Sequence, residues 1–222
     1  MEFWPKAYGR ENIPEKPRKP DPYPYSFFII DGNPGSPVML LGPVQGDSVD
    51  HTLFWLPSEK TIICGDALYA RSTHLWAVSV PSNLNFASEL LTSGQEEIET
   101  PQILSAWKLT LDLIESLVPS KIIPGHLEAG WTLDAKADLA HNRAYLDLFT
   151  EKISKAPKKP AVDDIYKTFK DAFPQAVKNL EFILGHLSNQ FGEGGKVWEE
   201  NRHHNVGART KEDLEGFLLG GN

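Results

Sequence analysis

Apolar runs and polar breaks divide the chain into short strands followed by helices. Ser26-Phe-Phe-Ile-Ile-Asp31 and Pro37-Val-Met-Leu-Leu-Gly42 are apolar runs separated by the turn cluster Gly32-Asn-Pro-Gly-Ser. His51-Thr-Leu-Phe-Trp-Leu-Pro57 is a third run, and Ser58-Glu59 joins it to a fourth, Lys60 to Gly65. Four strands with short connections predict an antiparallel meander. A fifth short strand, Lys121-Ile-Ile-Pro-Gly-His126, comes much later in the chain.

The second half carries a helical period. Pro101 can open a helix, and Leu104, Trp107, Leu111 and Ile114 form an apolar stripe that Pro119 stops. Ala135, Leu139, Leu146 and Phe149 mark a further helix. Two more are expected after the proline-bearing linker Lys152 to Pro160. One runs from Asp163 to Phe173, the other from Gln175 to Phe191 with Val177, Leu180, Leu184 and Leu187 as its stripe. The predicted helices are therefore 101–118, 133–151, 162–173 and 175–190. The fold class is α/β, a mostly antiparallel sheet with flanking helices.

Composition frames this core. Residues 1–24 hold six prolines and many charges, an extended surface segment in which Phe3 and Trp4 could pin the chain down. Residues 25–191 hold the domain, and the glycine-rich stretch 192–222 reads as a loosely held tail. The stretch from Asp66 to about residue 100 is rich in Ser, Asn, Thr and Glu, a long irregular connection of the kind that carries function. A net charge of -8 without a long basic block argues against nucleic acid as partner. No window is a membrane span, and the first residues lack the apolar core of a secretory signal. The single cysteine, Cys64, excludes an intrachain disulfide and fits a reducing, cytoplasmic setting.

Candidate chemistry gathers at two strand ends. Ile62-Ile-Cys-Gly-Asp66 ends a buried run on a glycine and a carboxylate, and Ile122-Ile-Pro-Gly-His126 ends another on a histidine. Strand ends are where ligands collect in open sheets, and Asp and His serve both as metal ligands and as acid/base groups. Each also has a plainer reading. Asp66 could cap a turn, and His126 could do no more than follow one. His74 is either a pocket histidine or a solvated loop residue. Tyr69, Trp76 and Trp131 are either pocket aromatics or core, with core the safer reading. Cys64 reads as a buried apolar residue rather than a nucleophile. His203-His204 lies in a polar tail and carries no assignment.

The segments Pro43-Val-Gln-Gly-Asp-Ser-Val-Asp-His-Thr-Leu-Phe-Trp-Leu-Pro57, Ile62-Ile-Cys-Gly-Asp-Ala-Leu-Tyr69 and Ile122-Ile-Pro-Gly-His126 together resemble the second half of a metallo-β-lactamase-fold hydrolase. The resemblance covers roughly residues 25–190 and implies part of an αββα sandwich, in which each half supplies a sheet. It implies Asp66 as the bridging metal ligand and His126 as the late one. The family's His-x-His-x-Asp-His signature is absent, since no histidine precedes His51. The middle ligand falls near Gln45 or at Asp47, and of these only Asp47 is an acceptable zinc ligand. Asp50 and His51 are further donors, although the alignment places His51 at the start of the next strand.

These readings imply a hydrolase of a lactone, ester or thioester, truncated or degenerate, with an incomplete metal site. Asp66, His126 and His74 are the catalytic candidates, and Asp66, His126 and Asp47 the metal ligands. Zinc is expected to be weak or absent. The alternatives are a non-catalytic remnant that binds a small molecule or partner, or a metal-independent isomerase or cyclase using the same pocket. The expected partner is a small-molecule substrate, with self-association through an exposed sheet face as a further expectation.

Overall fold

A computed structural model describes residue 11 and residues 23–30, 35–48, 51–79, 97–98, 101–158 and 160–180. The expected N-terminal segment 1–24 and the tail 192–222 lie almost wholly outside these residues. The meander forms as the apolar runs predict. β1 (Phe27–Ile29), β2 (Pro37–Val44), β3 (His51–Leu56) and β4 (Thr61–Tyr69) pair antiparallel in sequence order. A single 3-10 turn at Pro57–Glu59 joins β3 to β4, closed by Lys60 in the left-handed region.

After β4 come two short strands, β5 (Val78–Ser79) and β6 (Glu97–Ile98), which pair with each other within the stretch read as a loop. α1 (Pro101–Ser116) then crosses over to β7 (Lys121–His126), which pairs parallel with β4. The sheet order is β1-β2-β3-β4-β7. A parallel pair needs a crossover of this length, and α1 supplies it.

The core lies on one face of this sheet. Leu53, Trp55, Ile62, Cys64 and Ile122 point to the same side, where the α1 stripe Leu104, Trp107, Leu111 and Ile114 is fully buried against them. α2 (Ala135–Phe149) and α3 (Val162–Ala172) complete the layer with Leu139, Leu146, Phe149, Ile165 and Phe169. Asp134 caps α2 by accepting a hydrogen bond from the Ala137 amide, and one π-helical turn, Thr150–Ser154, follows it. On the other face of the sheet, Phe54 and Ile63 pair in register and each remains more than a third exposed. Among the described residues no helix is long and apolar enough to cross a membrane.

Two expectations are corrected. β4 does not end on Gly65-Asp66 but continues to Tyr69. Gly65 takes φ 53, and between the Gly65–Pro124 and Tyr69–His126 pairings β4 advances four residues while β7 advances two. The strand bulges there instead of stopping, and a bulge re-aims side chains at a strand's end. The helix expected over 175–190 does not start at Gln175. Residues 175–179 form turns and a bridge, because their backbone groups bond the 72–74 loop: the Val177 amide to Ser72 and the His74 amide to Lys178. Val177 is correspondingly exposed, while Leu180 is helical and buried. The remainder of that helix falls outside the described residues.

Candidate functional site

The bulge in β4 sets the site. Asp66 sits in that bulge, and its Oδ1 meets Nδ1 of His126, the last residue of β7, at 2.8 Å. Gly125 permits this approach. A methyl group on that residue would overlap Asp66 Oδ1 and lie 2.6 Å from the Gly65 carbonyl carbon. The pair is only part-covered, with 36% of the Asp66 side chain and 44% of the His126 side chain exposed. The two residues read from the sequence as strand-end groups are therefore in direct contact and open to solvent.

A second carboxylate–imidazole pair lies beside the first. The loop after β2 folds back so that the Asp47 amide donates to the Asp66 carbonyl at 3.2 Å. Asp47 Oδ1 then accepts from Nε2 of His51 at 3.1 Å, with Ser48 Oγ 3.0 Å from the same nitrogen. Gln45 does not face this cluster with its donors: its amide closes the loop onto the Gly46 and Ser48 carbonyls. Asp50 lies outside the described residues.

Tyr69 joins the two pairs. Its hydroxyl donates to Asp47 Oδ2 at 2.8 Å, and its ring stacks on the His126 imidazole with centroids 4.9 Å apart and planes 4° from parallel. The sequence offered Tyr69 as a pocket aromatic or, more safely, a core residue, and its ring is buried. It is a site residue as well, which spacing alone did not reveal.

The electrostatics follow from these contacts. The hydrogen bond to Asp66 raises the His126 pKa above the usual imidazole value against the opposing effect of burial, with the charges of Asp66 and Asp47 adding to it. The bond to Asp47 raises His51 in the same way, again against burial, with Asp47 and Asp66 as the charges. The four groups thus share one electrostatic field.

His74 is elsewhere. It is 1% exposed, and its Nδ1 lies 3.2 Å from the Tyr145 hydroxyl while Nε2 has no conventional hydrogen-bond partner. Burial pushes its pKa down to about 4, so it is neutral at ordinary pH. It packs with α2 and the segment around Ala176, and its contacts are Tyr145 and that backbone rather than Asp66 or His126. Cys64 is fully buried, and that burial raises its thiol to about 12, which leaves it unreactive. Trp131 lies under the Arg71 guanidinium, and Arg71 pairs with the buried Asp138.

The metallo-beta-lactamase superfamily model matches residues 2–126, more than half of the chain, and the match ends on His126. The chain belongs to the metallo-beta-lactamase superfamily. No curated protein matches it. For a metallo-beta-lactamase-superfamily chain the implied metal is zinc, and the donors can be tested against it. A catalytic zinc takes about three protein ligands converging on one point. Here Asp66 Oδ1 is turned to His126, while the two oxygens of Asp47 are turned to His51 and Tyr69. Among the described residues no group of three or more His, Cys, Asp or Glu side chains is placed to hold an ion. The described donors do not fit a zinc ion in this arrangement; they fit each other.

Proposed function

We propose that this chain hydrolyses a small ester, lactone or thioester, with the His126–Asp66 pair moving the proton. What supports the reading is one contact. Asp66 engages Nδ1 of His126, which leaves the opposite nitrogen, Nε2, of a half-exposed ring free of that contact to act as the base. A carboxylate on one imidazole nitrogen favours the tautomer protonated there, provided the ring is held in line with it, and stabilises the imidazolium that forms when the other accepts a proton.

In this reaction Nε2 of neutral His126 takes a proton from water as the water oxygen bonds to the substrate carbonyl carbon. The carbonyl π pair moves onto its oxygen. As the intermediate collapses, the carbon–oxygen or carbon–sulfur bond to the leaving group breaks. That group takes the proton back from Nε2, releasing an acid and an alcohol or thiol. Asp66 remains ionised throughout. His51, within electrostatic range of Asp66, places a further positive charge beside the reacting centre once protonated.

Residues 25–191 are taken as the domain that does this, with its sheet as one half of an αββα sandwich. The test is a panel of aryl esters, lactones and acyl thioesters assayed with the wild type, His126→Gln and Asp66→Asn. His126→Gln should lower kcat by about 10²–10⁴-fold, the usual worth of a positioned acid/base group. Equal rates for wild type and His126→Gln on every substrate would overturn the proposal.

A further inference from the structure

Tyr69 touches both carboxylate–imidazole pairs, and its own position is unusually well fixed. Its amide donates to Asn142 Oδ1 at 3.0 Å, and its carbonyl accepts from Asn142 Nδ2 at 2.7 Å. Asn142 is itself fully buried on α2 and bonds the Asp138 carbonyl one turn earlier. A helix side chain thus clamps the strand backbone at the residue that meets the site. Burial raises the Tyr69 phenol well above its ordinary pKa, so it stays protonated and remains a donor.

The contacts made by this fixed side chain are complementary. His126 ends β7, a strand that pairs on the described side only with β4, and its ring is half exposed. A hydrogen bond to Asp66 holds one atom of that ring but leaves it able to rock about the bond. The flat stack on Tyr69 fixes its plane. Asp47 is held in the same manner from two sides, with Oδ1 taken by His51 and Oδ2 by the phenol. With each oxygen claimed by a different partner, one carboxylate rotamer satisfies both.

Resting on the hydrolytic reading above, we infer that Tyr69 is a positioning residue for that reaction, its ring setting the plane of His126 and its hydroxyl setting the rotamer of Asp47. It touches neither water nor substrate in this role.

Two variants separate the ring from the hydroxyl. Tyr69→Phe keeps the stack and loses the bond to Asp47; Tyr69→Leu loses both. The first readout is the imidazole ¹⁵N shifts of His126 in the full chain, recorded above its titration. Wild type and Tyr69→Phe should show one tautomer, the proton on Nδ1 facing Asp66. In Tyr69→Leu the ring should become a mixture with the Nε2-protonated form. The second readout is turnover, where Tyr69→Phe should lower kcat on the order of tenfold with KM within about twofold, as expected for misplacement without lost binding.

A single Nδ1-protonated tautomer in folded Tyr69→Leu would overturn the inference, as would an unchanged kcat in Tyr69→Phe. If Tyr69→Leu does not fold, the Tyr69→Phe kinetics decide. If the wild type hydrolyses nothing, the hydrolytic reading fails and the tautomer measurement still decides whether Tyr69 orients His126.

Discussion

His126 and Asp66 meet at 2.8 Å across the parallel β4–β7 strand pair, where Gly125 leaves no side chain between them. Sixty positions separate them in the chain, and α1 lies within that interval. The contact therefore depends on the crossover and on the β4 bulge together. Several consequences can be measured.

The first concerns pH and activity. The proposed base is neutral His126, whose pKa lies above the ordinary imidazole value of about 6.5 because Asp66 favours the charged form. Hydrolysis should then rise with pH along a limb whose midpoint is above that value. Asp66→Asn should move the midpoint down. For stability the sign is opposite. The raised pKa values of His126 and His51 give stabilisation fully present below about pH 6.5 and lost as pH rises through the folded values. NMR titration of both imidazoles checks the direction.

His74 predicts the reverse trend on the acid side. Its folded pKa of about 4 lies below the unfolded value, so the unfolded chain binds more protons between those limits. Stability should fall as pH drops through this window, by about 3 kcal/mol in total at one pKa unit per 1.36 kcal/mol. His74→Leu should flatten that limb in urea midpoints measured from pH 7 to 4. A limb of unchanged steepness in the variant would assign the effect to another group.

Gly125→Ala should be costly for its size. The added methyl meets Asp66 Oδ1 and the Gly65 backbone, and the backbone cannot yield as a flexible side chain would. We expect a loss of about 1–3 kcal/mol, as for an overpacked interior, together with loss of the Asp66–His126 contact. Denaturant unfolding and the His126 titration read the two effects separately.

Asn142→Ala removes the partner of both the Tyr69 amide and the Tyr69 carbonyl. Two buried backbone groups left unpaired should cost about 2–4 kcal/mol. Thermal unfolding tests this, with Asn142→Ser as a partial replacement expected to lose less.

Much of the fold was legible because its elements are locally encoded. Leu104, Trp107, Leu111 and Ile114 share one face of a helix whatever surrounds it, and all four are buried as their spacing requires. The Gly65-Asp66 and Gly125-His126 dipeptides were legible as candidate chemistry, although only His126 ends its strand. The bulge that carries β4 on to Tyr69 was not, since register shifts arise between strands. The start of the last helix was misread because residues 175–179 find partners in the 72–74 loop, a tertiary contact that outweighs their helical period.

The site was half legible. Asp66 and His126 were named together, whereas His51 was set aside because the family alignment placed it at a strand start. It is at that start, yet its ring reaches back to Asp47. Asn142 left a signal that went unused: it sits within the stripe Ala135, Leu139, Leu146 and Phe149, at the position where an apolar residue belongs. A polar residue on a buried helical stripe needs a partner, and here the partner is the Tyr69 backbone. Tyr69 was legible only as a pocket aromatic or a core residue, and its burial together with its contacts to Asp47 and His126 makes it both.

The most direct test of the central claim, that the His126–Asp66 pair moves the proton without a resident zinc, is ester hydrolysis by purified chain before and after exhaustive chelation, with metal content measured on the same samples. The account predicts substoichiometric zinc, a rate that chelation leaves unchanged, and loss of that rate in His126→Gln. A rate that vanishes on chelation and returns with one zinc per chain would contradict it.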